Sequence, residues 1–543
     1  MGKNEGKNTF LSGVLILTVA NLITKIIGLV FKIPLTNMLG NEGMGYFNTA
    51  YQIYTWLYML STAGVPVALS LMIAEMRAKG KYADERKLYR LTLSFFAAIG
   101  LICSVLMAVF CRGLASFISA DLSYLCIFAI SPALFFVCVS SVVRGYFQGR
   151  RNMVPTAVSE IIEAALKLSI GILLGLYALN KGYPLYKVAA YSILGVTVGL
   201  FAGAAFLMLS SAFAKRGSEA ERLDGAHAQS GKALLSAFFR IAVPVMLSSS
   251  LLSMSSMLDT VIVIRRLQDI GIAESISVAL YGNYTAYCVT LFNLPPVLIY
   301  PIVNTLIPSL VSARERRDST KVSLLLHKTF KLSAIIALPC AIGLGVMSLP
   351  ILKLIFTSAE NAEMAAPLLT CLAPSVFLIG IMAVSNGVLQ SFKLQRYSVI
   401  SMICGAAVKA LGAFILPMVK VGGSYLGIYA SPISTFLFYL TITALNFYFI
   451  ARHTDVKLVS ITLFLRPLIS ALLCGATAAV SYLLLTNLLG EMKLLALVSI
   501  GLGAIVYGIT LLLFGGIDRT DVELIPKVAK AVNKIPILNR IIK

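Results

Sequence analysis

Apolar stretches about twenty residues long recur fourteen times along this chain, among them 11–39, 45–75, 278–311 and 494–516. At about 1.5 Å per residue, a helix of roughly 20 residues crosses a hydrocarbon core about 30 Å thick, so each stretch is long enough to span a bilayer. No water reaches backbone groups at that depth. They must pair within the segment, which leaves helices or closed barrels. Barrel strands alternate in polarity over about ten residues, and these continuous runs do not. The expected fold class is therefore an all-α polytopic membrane protein with about fourteen transmembrane helices. The composition agrees, with 58% hydrophobic residues, 13% charged residues and a mean hydropathy of +0.89.

The net charge of +22 would suggest a nucleic-acid partner in a soluble protein. In a membrane protein it reports orientation. With the N-terminus inside, 33 of the 45 Lys and Arg fall in cytoplasmic segments, most densely at 77–90 and 314–331, which predicts both termini in the cytoplasm and no nucleic acid as partner. Anionic membrane lipids are the expected neighbours of that charge. The nine cysteines lie singly, without CxxC or metal-ligand spacing, and read as small hydrophobes. The first apolar run is too long for the core of a cleavable signal and is expected to act as its own targeting segment.

The longest polar connection, KRGSEAERLDGAHAQSGK at 215–232, divides the chain nearly in half. On either side of it, YFNTAYQIYTW (46–56) echoes NYTAYCVTLF (283–292), and SSVVRGYFQGRRNMV (140–154) echoes SNGVLQSFKLQRYSV (385–399). In the second pair Arg151 matches Arg396. The echoes predict two six-helix bundles, 1–214 and 236–450, joined by a cytoplasmic linker at 215–235 and related by a pseudo-twofold axis along the membrane normal. Two additional helices at 451–516 follow. Residues 517–543 place Leu524, Val528, Val532 and Ile535 on one face and lysines on the others, predicting a cytoplasmic interfacial helix.

Ionisable residues inside spans are costly, about 2.5 to 3.5 kcal/mol each on insertion scales, and so mark candidate sites. Lys25 and Lys32 lie seven apart on one face of the first run, with Asn21 a turn below, and Gly28 and Pro34 predict a bend around 30–34. Lys25 lies too deep to snorkel easily, whereas Lys32 sits where either cavity lining or snorkelling is open. In the fifth run Glu160, Glu163 and Lys167 share a face at i, i+3 and i+7, and the acid-first i,i+4 spacing suits a Glu163–Lys167 pair. Lys409 occupies a comparable depth in the eleventh. Asp259, alone in the seventh, suits ion or proton coupling, or a pair with Lys25 or Lys32. Arg144, Arg150 and Arg151 read as positive-inside anchors. Tyr51, Tyr54 and Tyr58 share a face that suits packing or an interface belt, and also sugar stacking. No HExxH, Walker loop or GxSxG is present, so a non-enzymatic role without cofactor or metal is expected.

The segment TKIIGLVFKIPLTNMLGNEGMGYFNTAYQIY (24–54), followed by STAGVPVALSLMIAE (61–75) and the turn VVRGYFQGRRNMVP (142–155), resembles the stage V sporulation protein B and YtgP group of oligosaccharide flippases. These are relatives of MurJ-type lipid II flippases in the multidrug/oligosaccharidyl-lipid/polysaccharide exporter superfamily. The resemblance implies alternating access of two helical bundles and transfer of an undecaprenyl-pyrophosphate-linked glycan, most plausibly lipid II, across the cytoplasmic membrane. It places Lys25 at the basic position of an R-x-x-G pattern, with Phe31-Lys32 where those proteins carry Arg-Asp. The lipid tail would follow a groove formed by the two extra helices. The headgroup set expected on this view is Lys25, Lys32, Asn21, Lys167 and Lys409. Asp259, Glu160 and Glu163 would serve ion coupling or charge pairing, with a monovalent cation, protons or the membrane potential as driving force. A monomeric transport unit is expected. The alternatives are a flippase for another polyprenyl-linked oligosaccharide (teichoic, capsular or exopolysaccharide) and a cation-coupled multidrug exporter.

Overall fold

The computed structural model describes residues 2–216, 229–316, 318–454, 462–490 and 492–516. The predicted interfacial helix at 517–543 and most of the predicted linker lie outside these. The protein is all-α and polytopic. Among the described residues twelve helical segments are long and apolar enough to cross a membrane. Packing divides the chain into two compact units, Met1–Ala286 and Tyr287–Lys543.

The first unit runs α1 (Gly2–Thr62), α2 (Val65–Ala78), α3 (Tyr82–Val109), α4 (Cys111–Phe117), α5 (Tyr124–Ile130), α6 (Ala133–Gly149), α7 (Val154–Asn180), α8 (Leu185–Arg216), α9 (Gly231–Asp269) and α10 (Glu274–Asn283). The second continues through α11 (Val289–Phe292), α12 (Pro295–Glu315), α13 (Ser319–Val346), α14 (Ser348–Ile355), α15 (Ala359–Leu372), α16 (Pro374–Ser391) and α17 (Gln395–Ile415). It closes with a short hairpin at 420–425, then α18 (Ala430–His453), α19 (Thr462–Leu489) and α20 (Lys493–Leu513).

Twelve such segments among the described residues do not equal twelve crossings, because one of them contains a kink between two helices. The 49-residue segment Val30–Ala78 holds parts of the first two expected runs, 11–39 and 45–75, which are separate helices that meet at Gly40. The helix continues through Gly28 and Pro34, and its direction changes at Gly40, whose φ of 61° and ψ of −164° a residue with a Cβ would resist. The bend expected at 30–34 is thus accompanied by no loss of helical backbone there. The eighth expected run is broken instead. α10 gives way to a π turn at Tyr284–Cys288, then to the four-residue α11, and Pro295-Pro296 start α12 afresh.

Unit 1 is built around a cluster that joins α2, α3, α6 and α9 through Leu69, Ile73, Leu88, Phe96, Val142 and Phe238. Between α7 and α8 the backbones themselves touch: a Cβ on Gly195 would stand 2.4 Å from the Gly171 Cα. Small residues at such crossings gain the dispersion contacts that drive helix association in lipid. Unit 2 has its own cluster, in which α12, α13, α16 and α18 meet through Val303, Phe330, Val384 and Ile450. α19 packs on α13 through Ala334, Leu338 and Ala471, and the Tyr507 hydroxyl of α20 donates to the Ile335 carbonyl at 2.7 Å.

The internal echo appears in backbone geometry, in a register three residues from the one the side chains suggest. α6 ends with Arg151 at φ 59°, the Arg151 N–H donating to the Gln148 carbonyl and the Asn152 N–H to that of Phe147. α16 ends in the same way with Lys393 at φ 60°, the Lys393 N–H donating to Gln390 and the Leu394 N–H to Leu389. Both are Schellman closures with a non-glycine residue in the left-handed region. Arg151 therefore corresponds to Lys393, not to Arg396. The same offset of 242 positions relates Pro132 to Pro374, Lys167 to Lys409 and Ser192 to Ser434.

Candidate functional site

Three helices of unit 1 line a half-open cavity of about 240 Å³. α1 contributes Thr24, Gly28 and Phe31, α6 contributes Arg144, and α7 contributes Glu160, Glu163, Ala164 and Lys167. The α7 residues arrive together because i, i+3, i+4 and i+7 positions share a helix face. Gly28 leaves room on the α1 side: nothing lies within 4 Å of where its Cβ would be.

The expected Glu163–Lys167 pair does not form. Glu163 Oε2 takes a hydrogen bond from Arg144 Nη2 at 3.0 Å, Arg144 Nη1 stands 4.0 Å from Glu160 Oε1, and Arg144 Nε donates to Ser159 Oγ at 3.3 Å. A guanidinium can address two carboxylates and a hydroxyl at once, which a lysine ammonium cannot do in one plane. With the carboxylates engaged, Lys167 turns to α1. Its Nζ donates to the Tyr51 hydroxyl at 3.2 Å and lies 4.7 Å from the Tyr51 ring centroid and 5.7 Å from that of Phe31. Glu160 Oε2 is buried with no hydrogen-bond partner among the described residues. The cavity thus carries two cations and two carboxylates, with one ammonium held by π faces rather than by an anion.

Arg144 is the cavity residue that sequence reasoning assigned elsewhere, as a positive-inside anchor beside Arg150 and Arg151. Its side chain is only 13% exposed. The available signal was depth, since Arg144 lies well inside α6, six residues before Arg150.

From Lys167 an aromatic ladder runs along α1. The Phe47 and Tyr51 centroids are 6.1 Å apart, those of Tyr51 and Tyr54 5.9 Å, and those of Tyr54 and Tyr58 6.1 Å with rings 7° from parallel. These tyrosines do share a face, as their spacing predicts.

Lys32 is not among the residues that line this cavity. Its Nζ donates to the Thr285 carbonyl in the π turn at 3.2 Å. Beside it the Asn48 amide donates to the Thr285 hydroxyl at 2.9 Å, so two residues of α1 hold one residue of the widened turn. π turns are rare and concentrate where helices are bent to a purpose. Asp259 is 4% exposed and accepts from the Tyr281 hydroxyl at 3.4 Å, while that hydroxyl also bonds Thr260 at 2.9 Å. Lys409 lies in unit 2, 8% exposed, with Nζ 5.9 Å from the Phe438 ring centroid. Asn21 and Lys25 lie on α1, and their side chains are outside the described residues.

Unit 2 holds a neutral counterpart of the charged cluster. Asn386, at the position matching Arg144, accepts from Asn446 at 2.8 Å and from Ser398 at 2.7 Å. A separate apolar cleft of about 430 Å³ is lined by α13, α19 and α20, including Pro339, Leu344, Gly475, Ala478, Ala504 and Tyr507.

The chain is thus a multi-pass membrane protein whose first unit holds a charged cavity between its helices. Residues 10–314 match the family described as polysaccharide biosynthesis protein, and the chain belongs to that family. Among its relatives, stage V sporulation protein B of Bacillus subtilis (strain 168) is 25% identical, covering 78% of this chain and 81% of the relative. The lipid II flippase MurJ of the same organism is 24% identical over 82% of each chain. Solved structures share the fold. A lipid II flippase MurJ in an inward closed conformation superimposes with a TM-score of 0.67 over 91% of this chain and 98% of its own at 14% identity. A multidrug resistance MATE transporter in an inward-facing conformation does so at 0.65 over 80% and 97%, also at 14% identity.

Proposed function

We propose that this protein is a flippase that carries an undecaprenyl-pyrophosphate-linked glycan, lipid II, across the cytoplasmic membrane, with both termini inside. The observation that carries the proposal is Lys167, an ammonium held against two rings beside the Arg144–glutamate cluster in a cavity within the spans. A diphosphate cannot enter hydrocarbon bare, and a cation held by weak π contacts exchanges them readily for phosphate oxygens. In this reading Lys25, Lys32, Asn21, Lys167 and Lys409 serve the headgroup, with the Tyr51 ladder offering stacking faces to sugar rings. Glu160, Glu163 and Asp259 serve coupling, and the apolar cleft of unit 2 receives the polyprenyl tail. Relatives named as lipid II flippases support the substrate class, and the absence of enzyme motifs supports a transport role.

A cation-coupled exporter is favoured by one observation, the paired carboxylates of the cavity with Glu160 Oε2 lacking a hydrogen-bond partner among the described residues. The test is headgroup accessibility in proteoliposomes, comparing lipid II, a teichoic acid precursor and a cationic dye. Wild type should translocate lipid II, and Lys167→Met should slow it about tenfold or more, the loss of one hydrogen bond to a charged group. Dye export without lipid movement would sink the proposal.

A further inference from the structure

A second cavity of unit 1, about 610 Å³, opens among α3, α5 and α8, apart from the charged one. Its volume is within the about 300–1,000 Å³ of typical ligand sites. The α8 wall is ordered by polarity. Lys187, Ala190, Tyr191 and Leu194 all line it and stand at i, i+3, i+4 and i+7, so a single helix face descends from an ammonium through a phenol ring to aliphatic carbon over about 10 Å. Across from them α3 supplies Val105 and Ala108, and α5 supplies Leu125 and Phe128, with Phe128 and Val105 more than half exposed.

The charged end is an interface in its own right. Tyr183 and Tyr191 ring centroids are 5.9 Å apart, Tyr177 and Tyr191 6.4 Å apart, and Lys187 Nζ lies 5.8 Å from the Tyr183 centroid. Tyrosines so clustered at the ends of spans mark the headgroup level of a bilayer. None of the described residues that line the crevice is acidic. The Lys187 ammonium is therefore left with π faces and whatever anion the bilayer supplies.

We propose that this crevice is a binding site for one anionic glycerophospholipid, its phosphate on Lys187 and one acyl chain along Ala190, Leu194, Ala108 and Phe128. Charge complementarity selects the occupant. A polar head, an interfacial ring level and an apolar floor follow one another in the order of head, glycerol and chain in a phospholipid. A free phosphate would leave the apolar floor empty, and an apolar helix of a partner protein would leave the lysine unmatched. The site is separate from the transport cavity and does not depend on which substrate is carried.

Native mass spectrometry of the full-length protein, released from nanodiscs of phosphatidylglycerol and phosphatidylethanolamine, tests this. Wild type should retain one phospholipid through detergent washing, with phosphatidylglycerol favoured about fivefold, as expected for one cation at the membrane surface. Lys187→Gln should erase the preference while a lipid is still held. Ala108→Trp, which fills the floor, should abolish retention. Lys420→Gln, which alters another lysine lying over a tyrosine ring in the hairpin of unit 2, should change neither. Equal retention of both lipids by wild type, full retention in Ala108→Trp, or displacement of the bound molecule by undecaprenyl diphosphate would overturn the assignment.

Discussion

Arg144 on α6 and Glu163 on α7 are joined at 3.0 Å, and this one bond reassigns the whole α7 stripe. Glu163 is taken from Lys167, the neighbour that helix spacing offers it, and Lys167 is released toward Tyr51. Breaking a buried ion pair by removing one partner costs about 3–5 kcal/mol, because the other charge stays behind. Arg144→Met leaves two carboxylates and should fall in that range. Glu163→Gln should cost less, since Glu160 still faces the guanidinium at 4.0 Å. A double-mutant cycle read by thermal unfolding in detergent should give a coupling of about 1–3 kcal/mol. Additive losses would mean that the pair is incidental.

The Lys167 ammonium and its tyrosine can be separated experimentally. Tyr51→Phe keeps the ring 4.7 Å from Nζ and removes only the hydroxyl, so binding of a diphosphate-bearing lipid should weaken less than about threefold. Lys167→Met should weaken it about tenfold or more. Isothermal binding with a soluble short-chain analogue distinguishes the two. If Tyr51→Phe is as damaging as Lys167→Met, the hydroxyl rather than the ammonium is the anchor.

Much of this was legible beforehand, and the misreadings have physical reasons. Runs of twenty apolar residues state the fold class because the bilayer admits few alternatives. Lys167 and Lys409 were recognisable as counterparts, and the turns at Arg151 and Lys393 place them in register. The register itself was misread by three positions because Schellman closure depends on backbone dihedrals, whereas the side chains that happened to match, such as Arg396, lie beyond the turn. Arg144 was hidden by a rule about neighbours, since three arginines near a helix end look alike until depth is considered. The Glu163–Lys167 spacing is worth only about 0.2–0.5 kcal/mol in isolation, little against a guanidinium from another helix. The Pro295-Pro296 pair went unread as a break in the eighth run, and the π turn before it depends on what Thr285 meets and has no local signature.

Close backbone contact between α1 and α10 gives a third expectation. A Cβ on Gly282 would stand 2.2 Å from the Asn41 carbonyl oxygen, and one on Gly45 would stand 2.4 Å from that of Val278. Backbone cannot yield as a side-chain tip does. Gly282→Ala should therefore push the helices apart, at a cost of about 1–3 kcal/mol, and strain the Asn283–Asn41 hydrogen bond of 3.2 Å. Cysteines placed at 41 and 283 should cross-link quickly in the parent and slowly in the Gly282→Ala background. Equal rates would show that the contact is loose.

The end of α2, the start of α3 and the end of α6 are tied by a carboxylate with two cations. Glu85 is fully buried, with Oε1 2.7 Å from Arg150 Nε and Oε2 3.2 Å from Arg77 Nε, and Arg150 lies 4.5 Å from the Tyr146 ring centroid. The two arms are unequal. Arg150 is 11% exposed and Arg77 32%, so water screens the second pair and not the first. Glu85→Gln should thus cost about 3–5 kcal/mol by removing the buried charge that Arg150 meets at 2.7 Å, whereas Arg77→Ala should cost about 1 kcal/mol or less. Arg150→Lys should also destabilise, because an ammonium cannot both lie flat on Tyr146 and present Nε to Glu85. Thermal melts monitored by size-exclusion chromatography would rank the three. A Glu85→Gln protein as stable as Arg77→Ala would show that the buried arm contributes no more than the wet one.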